Sequence, residues 1–431
     1  MPFELERQLL DRLLERAIQA AQPAEVVPPA LPPAPDTGRI LVVGAGKAAA
    51  AMALAAEAHY GDLGFDAQLY GAVATRHGYG LRTRLLQVME AGHPVPDADS
   101  EKAALQALQL AGNAGPSDLI VVLLSGGASA IWSAPATGLT LANKQATTRA
   151  LLKSGARIHD VNCVRKHLSR IKGGRLARSA GGAQIVTLAI SDVPGDDPAV
   201  IGSGPTVADP STLEEARGIV ATLGQGVPAS VRAALADSAN ETVKPGDPAL
   251  ARTRYTIVAA PRLSLAAARA AAETLGYEVV LLGDALEGEA RDVAAQHARL
   301  ALEMRASSGR PLALLSGGEL TVTVRGNGRG GPNQEYALAL AIALQGAPGI
   351  SAIAADTDGA DGGSGAVDDP AGAIVLPDTL VRARARSLDA RAHLADNDST
   401  GFFASLGDLV VKGPTQTNVN DFRAILIQPS P

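Results

Sequence analysis

The chain has 431 residues, of which 46% are hydrophobic and only 3% aromatic, and its formal net charge is −6 at pH 7. This length suffices for two domains, and the mild negative charge excludes a broad basic surface for nucleic acid or an anionic membrane. The single cysteine, Cys163, excludes an intramolecular disulfide framework and is typical of a reducing compartment. We therefore predict a soluble, cytoplasmic protein.

The first predicted element is an amphipathic helix over Phe3–Ala21, where apolar residues recur at helical spacing. This segment lacks the apolar core of a signal peptide. No stretch of the sequence approaches the ~18 successive apolar residues that a membrane-spanning helix needs. The prolines of Pro23–Asp36 then predict a stiff connector.

From residue 39 onward, short apolar runs alternate with alanine-rich segments, which is typical of an α/β protein. Continuous runs such as IVVLL, followed by glycine turns, indicate parallel strands covered by helices on both faces. The last predicted strand could join either half of the molecule. We predict strands at Ile40–Val43, Gly71–Thr75, Leu119–Leu124, Ala183–Ile190, Tyr255–Ala259, Glu278–Leu282, Ala313–Leu315, Leu320–Val324, Ser351–Ala355 and Arg423–Gln428.

A polar, turn-rich stretch, Gly224–Ala249, separates two series of strands and helices. We predict an N-terminal, doubly wound, Rossmann-like domain over residues 1–245 and a smaller C-terminal α/β domain over residues 246–431. The sequence LLSGG occurs at Leu123–Gly127 and again at Leu314–Gly318, each time after a buried-looking strand. Because ligands bind at the carboxyl ends of strands in α/β sheets, we expect an active site in a cleft between the lobes.

Strand, glycine turn and alanine-rich helix follow one another in Val42–Ala53, which predicts an anion site at a helix N-terminus. The dinucleotide fingerprint G-x-G-x-x-A also begins at Gly44 and includes Gly46. That fingerprint expects an acidic residue at the end of the second strand, where Thr-Arg-His (75–77) stands instead. Lys47 adds a mobile positive charge to the turn, and an ordinary surface lysine is the alternative interpretation.

A basic segment, His159–Ala177, carries five Arg and Lys residues within eleven positions. If it is helical, Arg165, Ser169 and Lys172 share one face at i, i+4 and i+7. That face could hold a carboxylate or a phosphate, and a solvated basic helix is the alternative. The segment has no interleaved aromatic residues for base stacking, which disfavours nucleic acid.

Acidic residues follow two of the predicted strands. Asp192 begins a run of three acids in six residues, and carboxylates at a strand end suit Mg²⁺. Asp358 lies in a second acidic turn, which fits a nucleotide or a metal. A plain Asp- and Gly-rich turn is the alternative in the first case.

The most glycine-rich stretch is Leu314–Tyr336, in which Arg325 and Arg329 are interleaved with glycines. Glycine permits close approach of main-chain N–H groups to a ligand, and arginine suits an anion. Glu319 adds a potential metal ligand. The sequence therefore predicts a phosphate site, with a wide hairpin loop as the alternative.

Taken in order, these segments resemble the glycerate 2-kinase family, whose C-terminal domain is the MOFRL domain. The resemblance implies two α/β lobes, ATP and Mg²⁺ as cofactors, and phosphorylation of D-glycerate at its 2-hydroxyl to give 2-phosphoglycerate and ADP. Pro332, Gly202 and Thr400 depart from the residues usual in the family. The matching segments, between residues 40 and 403, are VVGAGKAAAAMA, LLSGGASA, VNCVRKHLSRIKGGRLA, SDVPGDDPAVIGSGPT, LSGGELTVTVRGNGRGGPNQE, TDGADG and NDSTGFF.

The resemblance also implies that Lys47 and Arg325 are the residues most directly tied to catalysis. We assign both to the oxygens of the transferred phosphoryl group and make Asp192 the base or a Mg²⁺ ligand. Arg165 and Lys172 would clamp the glycerate carboxylate.

The remaining assignments concern the metal and the nucleotide. Glu319 and Asp358 are the further metal ligands that we predict beside Asp192. The residues assigned to the nucleotide are Gly44, Gly46, Ser125, Gly126, Gly127, Gly328, Arg329, Gly330, Gly331 and Asn333.

Two alternative functions stay open. The first is an NAD(P)H-dependent hydroxypyruvate reductase, a label that relatives of this family have carried. The second is a non-catalytic sensor of a phosphorylated metabolite, although clustered carboxylates opposite anion loops favour catalysis. The expected partners are glycerate and ATP, without nucleic acid or membrane, and the sequence is compatible with a homodimer.

Overall fold

The computed structural model describes residues 3–363 and 368–429. It divides into two compact units. The first unit is Pro23–Val258, and the second combines Met1–Gln22 with Ala259–Pro431. No helix in the described part of the chain is both long and apolar enough to span a bilayer.

Sixteen α-helices surround two sheets in the described ranges. Their bounds are α1 Glu4–Gln19, α2 Pro23–Val26, α3 Ala49–Asp62, α4 Ala98–Gly112, α5 Ala128–Ile131, α6 Leu141–Lys153, α7 Ile158–His167, α8 Arg175–Arg178, α9 Leu213–Thr222, α10 Ala229–Ala236, α11 Pro261–Thr274, α12 Ala290–Ser307, α13 Pro332–Leu344, α14 Thr379–Ala385, α15 Ala390–Ala395 and α16 Ser399–Leu406.

The sheet of the first unit has the strand order β3-β2-β1-β4-β5-β6, and β1 to β5 pair in parallel. This is the order of doubly wound dinucleotide-binding folds, in which ligands bind where the order reverses, here between β1 and β4. The predicted α/β class and the doubly wound first half are confirmed. The strands are β1 Ile40–Ala45, β2 Leu69–Arg76, β3 Gln87–Ala91, β4 Leu119–Leu124, β5 Gln184–Ile190 and β6 Thr253–Ala259.

The sheet of the second unit is mixed, with the order β11-β10-β9-β12-β8-β7. The last strand of the chain, β12, lies between β8 and β9 and is antiparallel to both, whereas β7 and β8 are parallel. The C-terminus therefore completes the centre of this sheet. The strands are β7 Glu278–Leu286, β8 Leu312–Gly318, β9 Ile350–Asp356, β10 Gly372–Val375, β11 Leu409–Val410 and β12 Asp421–Ile427.

One predicted strand is wrong and three strands were not predicted. Residues Leu320–Val324 form no ladder: Thr321 makes a single bridge to Glu289, and the Val324 side chain is 75% exposed. The amide of Leu320 donates instead to the Asp421 carboxylate. The unpredicted strands β3, β10 and β11 are short, and their pairing partners rather than their own patterns define them.

Helix α1 packs in the second unit. Its apolar face, formed by Leu10, Leu13, Leu14 and Ala17, is buried in the core that also contains residues of α11 and β12. Burying such side chains contributes about 1.5–3 kcal/mol for each large aliphatic residue. The predicted helix Phe3–Ala21 is therefore confirmed, and its apolar stripe shows where it docks.

Candidate functional site

The turn after β1 lies beside the turn after β4, at the point where the strand order reverses. The amide of Lys47 donates to the Gly126 carbonyl at 2.8 Å, and the amide of Ala48 donates to Ser125 Oγ at 2.9 Å. The Thr75 hydroxyl donates to the Lys47 carbonyl at 3.1 Å. These bonds hold the Lys47 backbone in place, while its side chain is half-buried. The positive charge at this turn therefore comes from the lysine, because its neighbouring N–H groups already bind the protein.

Gly44 and Gly46 permit the close approach of β1 and β4. A Cβ atom at Gly44 would lie 2.6 Å from the Leu123 carbonyl oxygen, and one at Gly46 would lie 2.5 Å from that of Ser125. The amide of Gly46 donates to the Ala74 carbonyl. Close packing of β1 and its following turn against β4 thus accounts for both glycines, and their contact with a nucleotide stays a prediction.

Replacing Gly46 with alanine should lower the free energy of unfolding by about 2–5 kcal/mol, because overpacking adds to backbone strain. Gly46 has a φ of +136° and the Ser125 backbone fills the space where Cβ would stand. The matched control is Gly64→Ala, where φ is +85° and no atom lies within 4 Å. Urea unfolding of both variants measures the difference, and equal losses would contradict this steric account.

Two predicted substrate residues, Arg165 and Lys172, meet at one serine. Arg165 Nη2 donates to Ser129 Oγ at 2.8 Å. Lys172 Nζ donates to the backbone carbonyl oxygen of Ser129 at 2.7 Å and to its Oγ at 2.9 Å. Ser203 Oγ lies 2.8 Å from the same hydroxyl. Lys172 is only 1% exposed, and burial holds its pKa well below the ordinary value for lysine. The structure thus brings the two cations together near the ends of β4 and β5.

The predicted helical face of Arg165, Ser169 and Lys172 is wrong. Helix α7 ends at His167, and Ser169 Oγ then accepts the amides of Ile171 and Lys172 at 3.3 and 3.4 Å. A serine hydroxyl that binds backbone N–H groups in this way forms a turn and competes with helix continuation. Lys172 therefore reaches Ser129 from a turn rather than from a helix.

The three predicted metal ligands all follow strands, as expected. Asp192 comes two residues after β5 and is half-buried; Glu319 follows β8 and is exposed. Asp358 follows β9, is 2% exposed, and accepts the amide of Ala360 at 3.0 Å. Which of them binds a metal stays a prediction.

A different grouping of potential ligands lies on the first unit. Within residues 3–363 and 368–429, His77, Asp97 and Asp99 are the one set of at least three His, Cys, Asp or Glu whose ligand atoms all lie within 4.8 Å of one another. His77 Nε2 lies 2.8 Å from Asp97 Oδ2, while Asp97 also caps α4. These side chains are thus engaged with each other and with a helix end.

The glycine-rich loop, residues 319–331, connects β8 to α13 and is held by a distant segment of the second unit. Asn397 Oδ1 accepts the amides of Arg325 and Gly326 at 2.8 and 3.0 Å. The amide of Gly328 donates to the Asp396 carbonyl at 2.9 Å. The amides of residues 325, 326 and 328 therefore bind protein oxygens, and the contact of the loop's glycines with a phosphate stays a prediction.

The loop glycines also serve this docking. A Cβ atom at Gly328 would lie 2.5 Å from Asp398 Cα, and one at Gly331 would lie 2.5 Å from the Asp361 carboxyl carbon. Gly330 lies against Ser399 in the same way. The side chains of the loop arginines, both exposed, are consequently the groups that can reach an anion.

The N-terminus of α13 is capped from inside the protein. The Asp361 carboxylate accepts the amides of Asn333 and Gln334 at 2.9 and 2.8 Å. Asn333 Nδ2 donates to Asp421 Oδ1 at 2.6 Å, and Asn333 is fully buried. Burial, together with the nearby Asp421 charge, raises the pKa of Asp361 to about 7. The predicted contact of Asn333 with a nucleotide is therefore not what this geometry shows; the side chain positions two buried acids.

A cavity of about 440 Å³ opens beside the glycine-rich loop. Three of the predicted nucleotide residues, Gly328, Arg329 and Gly330, line it together. Thr400, also in its wall, donates to Gln334 Oε1 at 2.7 Å. Asp398 caps α16, because its side chain accepts the amide of Gly401. Residues 396–398 hold the loop from about 70 residues away, and no local pattern in the sequence links segments so far apart.

Asn397 should position Arg325. Asn397→Gly removes the side chain without adding strain, because the residue has a φ of 54°. We expect a loss of about 1–3 kcal/mol in the free energy of unfolding and faster hydrogen exchange at the amides of residues 325 and 326. The control Gln345→Gly, at a φ of 51°, should change little. Unchanged exchange at the two amides would disprove the anchoring role.

The chain matches a domain of unknown function, DUF4147, over residues 9–236 and the MOFRL family over residues 312–421. A putative hydroxypyruvate reductase of Agrobacterium vitis is 50% identical over 427 residues, which cover 98% of this chain and 94% of the relative. The D-glycerate 2-kinase of Thermotoga maritima is 37% identical over 419 residues, which cover 96% of this chain and 97% of the relative.

The glycerate 2-kinase of Pyrococcus horikoshii is 38% identical over 431 residues, covering 95% of this chain and 94% of the relative. The crystal structure of glycerate kinase from Thermotoga maritima superposes with a TM-score of 0.89 at 35% identity, covering 99% of this chain and all of that one. Sequence and fold agree over nearly the full length. The chain therefore belongs to the MOFRL-containing glycerate kinase family.

Proposed function

We propose that this protein phosphorylates D-glycerate at the 2-hydroxyl with ATP, giving 2-phosphoglycerate and ADP. The observation that carries the proposal is the convergence of Arg165 and Lys172 on Ser129, near the strand ends where Lys47 also lies. Two cations with few other partners fit the carboxylate of a small acid. Membership of the glycerate kinase family supports the same substrate.

The substrate carboxylate is assigned to the guanidinium of Arg165. Arginine presents a planar fork of N–H donors that matches a carboxylate. Arg165 donates to Ser129 through Nη2, so its other N–H groups can face the substrate. Lys172 is fixed by two bonds to Ser129 and adds positive charge behind it. These side chains would orient glycerate before any chemistry occurs, which is a main requirement of phosphoryl transfer.

Neutralisation of the phosphoryl oxygens is assigned to Lys47 and Arg325. Lys47 stands at the N-terminus of α3, whose dipole also favours an anion. Arg325 and Arg329 extend from a loop whose backbone is anchored, so their charges are supplied from defined positions. Phosphoryl transfer depends on such positioning and electrostatic stabilisation more than on covalent chemistry.

The donor set also fits the cofactors of a kinase. Arg329 beside the cavity of about 440 Å³ suits the phosphates of a nucleotide. Mg²⁺ prefers carboxylate and water oxygens. Asp192 and Glu319 each offer a carboxylate that solvent can reach. Asp358 fits less well, because it is buried and accepts an amide. When bound, the metal would neutralise charge on phosphate oxygens.

Product analysis tests the proposal. The protein is incubated with Mg²⁺, ATP and D-glycerate, and ³¹P NMR distinguishes 2-phosphoglycerate from 3-phosphoglycerate. We expect the 2-phospho isomer. The 3-phospho isomer would retain the kinase and overturn the orientation of glycerate, and absence of any phosphorylated product would overturn the kinase.

A parallel assay with NADH and hydroxypyruvate tests the alternative function, a hydroxypyruvate reductase. Two Agrobacterium vitis relatives carry that function in their names. The strand order of the first sheet favours that alternative. Against it, the amides of Lys47 and Ala48 bind Gly126 and Ser125 rather than facing a pyrophosphate. Binding of a phosphorylated metabolite that needs neither ATP nor Mg²⁺, without turnover in either assay, would favour the sensor.

A further inference from the structure

Lys144, on α6, is a buried lysine that the proposed reaction does not use. The residue is 7% exposed, and its Nζ has no hydrogen-bond partner in the described part of the chain. Burying a charged amine without a partner costs several kcal/mol, so such residues are rare unless they serve a ligand. Arg175 Nη2 is likewise buried and unpartnered.

The surroundings of Lys144 are mostly positive. Burial lowers the pKa of Lys144 most, and Arg165 from α7 and Arg175 from α8 lower it further; burial likewise lowers the pKa of Lys172 most, followed by Arg165 and Lys144. Glu101 from α4 acts in the opposite direction and raises the pKa of Lys144. We call Lys144, Arg165, Lys172 and Arg175 the cationic cluster.

None of the four cluster members forms a salt bridge within residues 3–363 and 368–429, where Arg165, Lys172 and Arg175 donate to hydroxyl or carbonyl oxygens. The neighbouring Lys166, by contrast, pairs with Asp209 at 3.1 Å. On α10, which also packs against α6, Arg232 turns to the carbonyls of residues 224 and 227. Within the described ranges the cluster thus has no salt bridge to a carboxylate, and the acids that act on it from further away are Glu101 on Lys144 and Glu241 and Asp209 on Arg175.

We propose that Lys144, Arg165 and Lys172 form a buried anion site for a small carboxylate, and that Lys144 takes up a proton when the anion enters. An anion would satisfy the unpartnered Nζ and offset the mutual repulsion of the cluster. The identity of the carboxylate as that of glycerate rests on the proposed function, whereas the anion site rests on the buried cations.

The proton follows from linkage. Burial, and after it the charge of Arg165, lower the pKa of Lys144 to about 7. At pH 8 the amine is therefore mostly neutral. A bound anion favours the charged form and raises that pKa, and the protein must then gain protons on binding. The carboxyl group of glycerate is already ionised at pH 8, so it contributes none. Lys172, whose pKa is also lowered, can add to the uptake.

Titration calorimetry at pH 8, in buffers of different ionisation enthalpy, measures this uptake. The probes are D-glycerate and sulfate, without ATP. We expect the wild-type protein to gain about half a proton or more per anion bound. Lys144→Met should lose most of this uptake and bind about 10- to 100-fold more weakly. Lys153→Met, an exposed lysine on the same helix, is the matched control and should behave as wild type.

Thermal unfolding separates a binding role from a structural one. Without anion, Lys144→Met should raise the melting temperature by a few degrees, because methionine is similar in size to lysine but has no amine to bury without a partner. The variant should also lose the anion-induced rise that the wild type shows. A lysine that merely supported the fold would lower the melting temperature when replaced.

The outcomes distinguish this inference from the proposed function. Uptake with sulfate but no binding of glycerate would support the anion site and overturn glycerate as its ligand. Proton uptake that persists in Lys144→Met, or no uptake with either anion, would overturn the inference whatever the kinase assay shows.

Discussion

Replacing Lys47 with alanine is expected to lower kcat for glycerate phosphorylation by about 100- to 1000-fold, the loss typical of removing one oriented group that stabilises transition-state charge. The expected size of the fall in kcat follows from the way the structure holds Lys47. The amide and carbonyl of Lys47 are bound by Gly126 and Thr75, so the backbone is held by two neighbouring segments. The half-buried side chain consequently delivers its charge with little reorganisation.

Steady-state kinetics with varied ATP and glycerate measure this effect. The matched control is Lys102→Ala, an exposed lysine on α4 of the same unit, which should retain wild-type kcat. Urea unfolding should be nearly unchanged in both variants, since the alanine keeps the backbone bonds of residue 47. Full kcat in Lys47→Ala would refute the assignment of this lysine.

Arg325→Ala is expected to remove roughly 2–4 kcal/mol of transition-state stabilisation, seen as a fall in kcat/KM that comes mainly from kcat. The Arg325 side chain is exposed, whereas its amide is held by Asn397 at 2.8 Å. Truncating the side chain therefore leaves the loop anchored. The expected fall in kcat/KM is therefore caused by the missing guanidinium and not by disorder of the loop.

The control for Arg325 is Arg310→Ala, an exposed arginine that precedes β8 in the same unit. It should leave both kcat and KM unchanged. A rise in KM for ATP with kcat intact in Arg325→Ala would show that this arginine binds the ground state, and would remove it from the catalytic assignment. Comparison with Asn397→Gly then separates the charge of Arg325 from its position.

Much of the fold could be predicted from local pattern. The runs of β1 and β4 are continuously apolar, and only a strand buried on both faces accommodates such a run. The same reasoning placed Lys47 and Asp192 after strands, where parallel sheets carry their ligands. Short strands such as β3 escaped prediction because pairing, rather than composition, makes them strands.

Glycine was the residue most open to misinterpretation. The sequence shows that close approach occurs at Gly46 and Gly328, but it does not show what approaches. The structure identifies Ser125 for the first and Asp398 for the second, each about 70 or more residues away along the chain. Close packing therefore accounts for these two glycines, while the main-chain contacts with a phosphate and the role of the arginines between the glycines both stay predictions.

The amino-acid pattern alone was enough to predict the α/β class, the helix over residues 3–21 and the family, because hydrophobic periodicity and short motifs are local properties. Only the tertiary structure decided that β12 occupies the centre of the second sheet and that α1 packs beside it. The same holds for Lys144, which in sequence is an ordinary helical lysine. Helix α6 packs against α7 and α10, and no local pattern could place the charged residues of α4, α7 and α8 near Lys144.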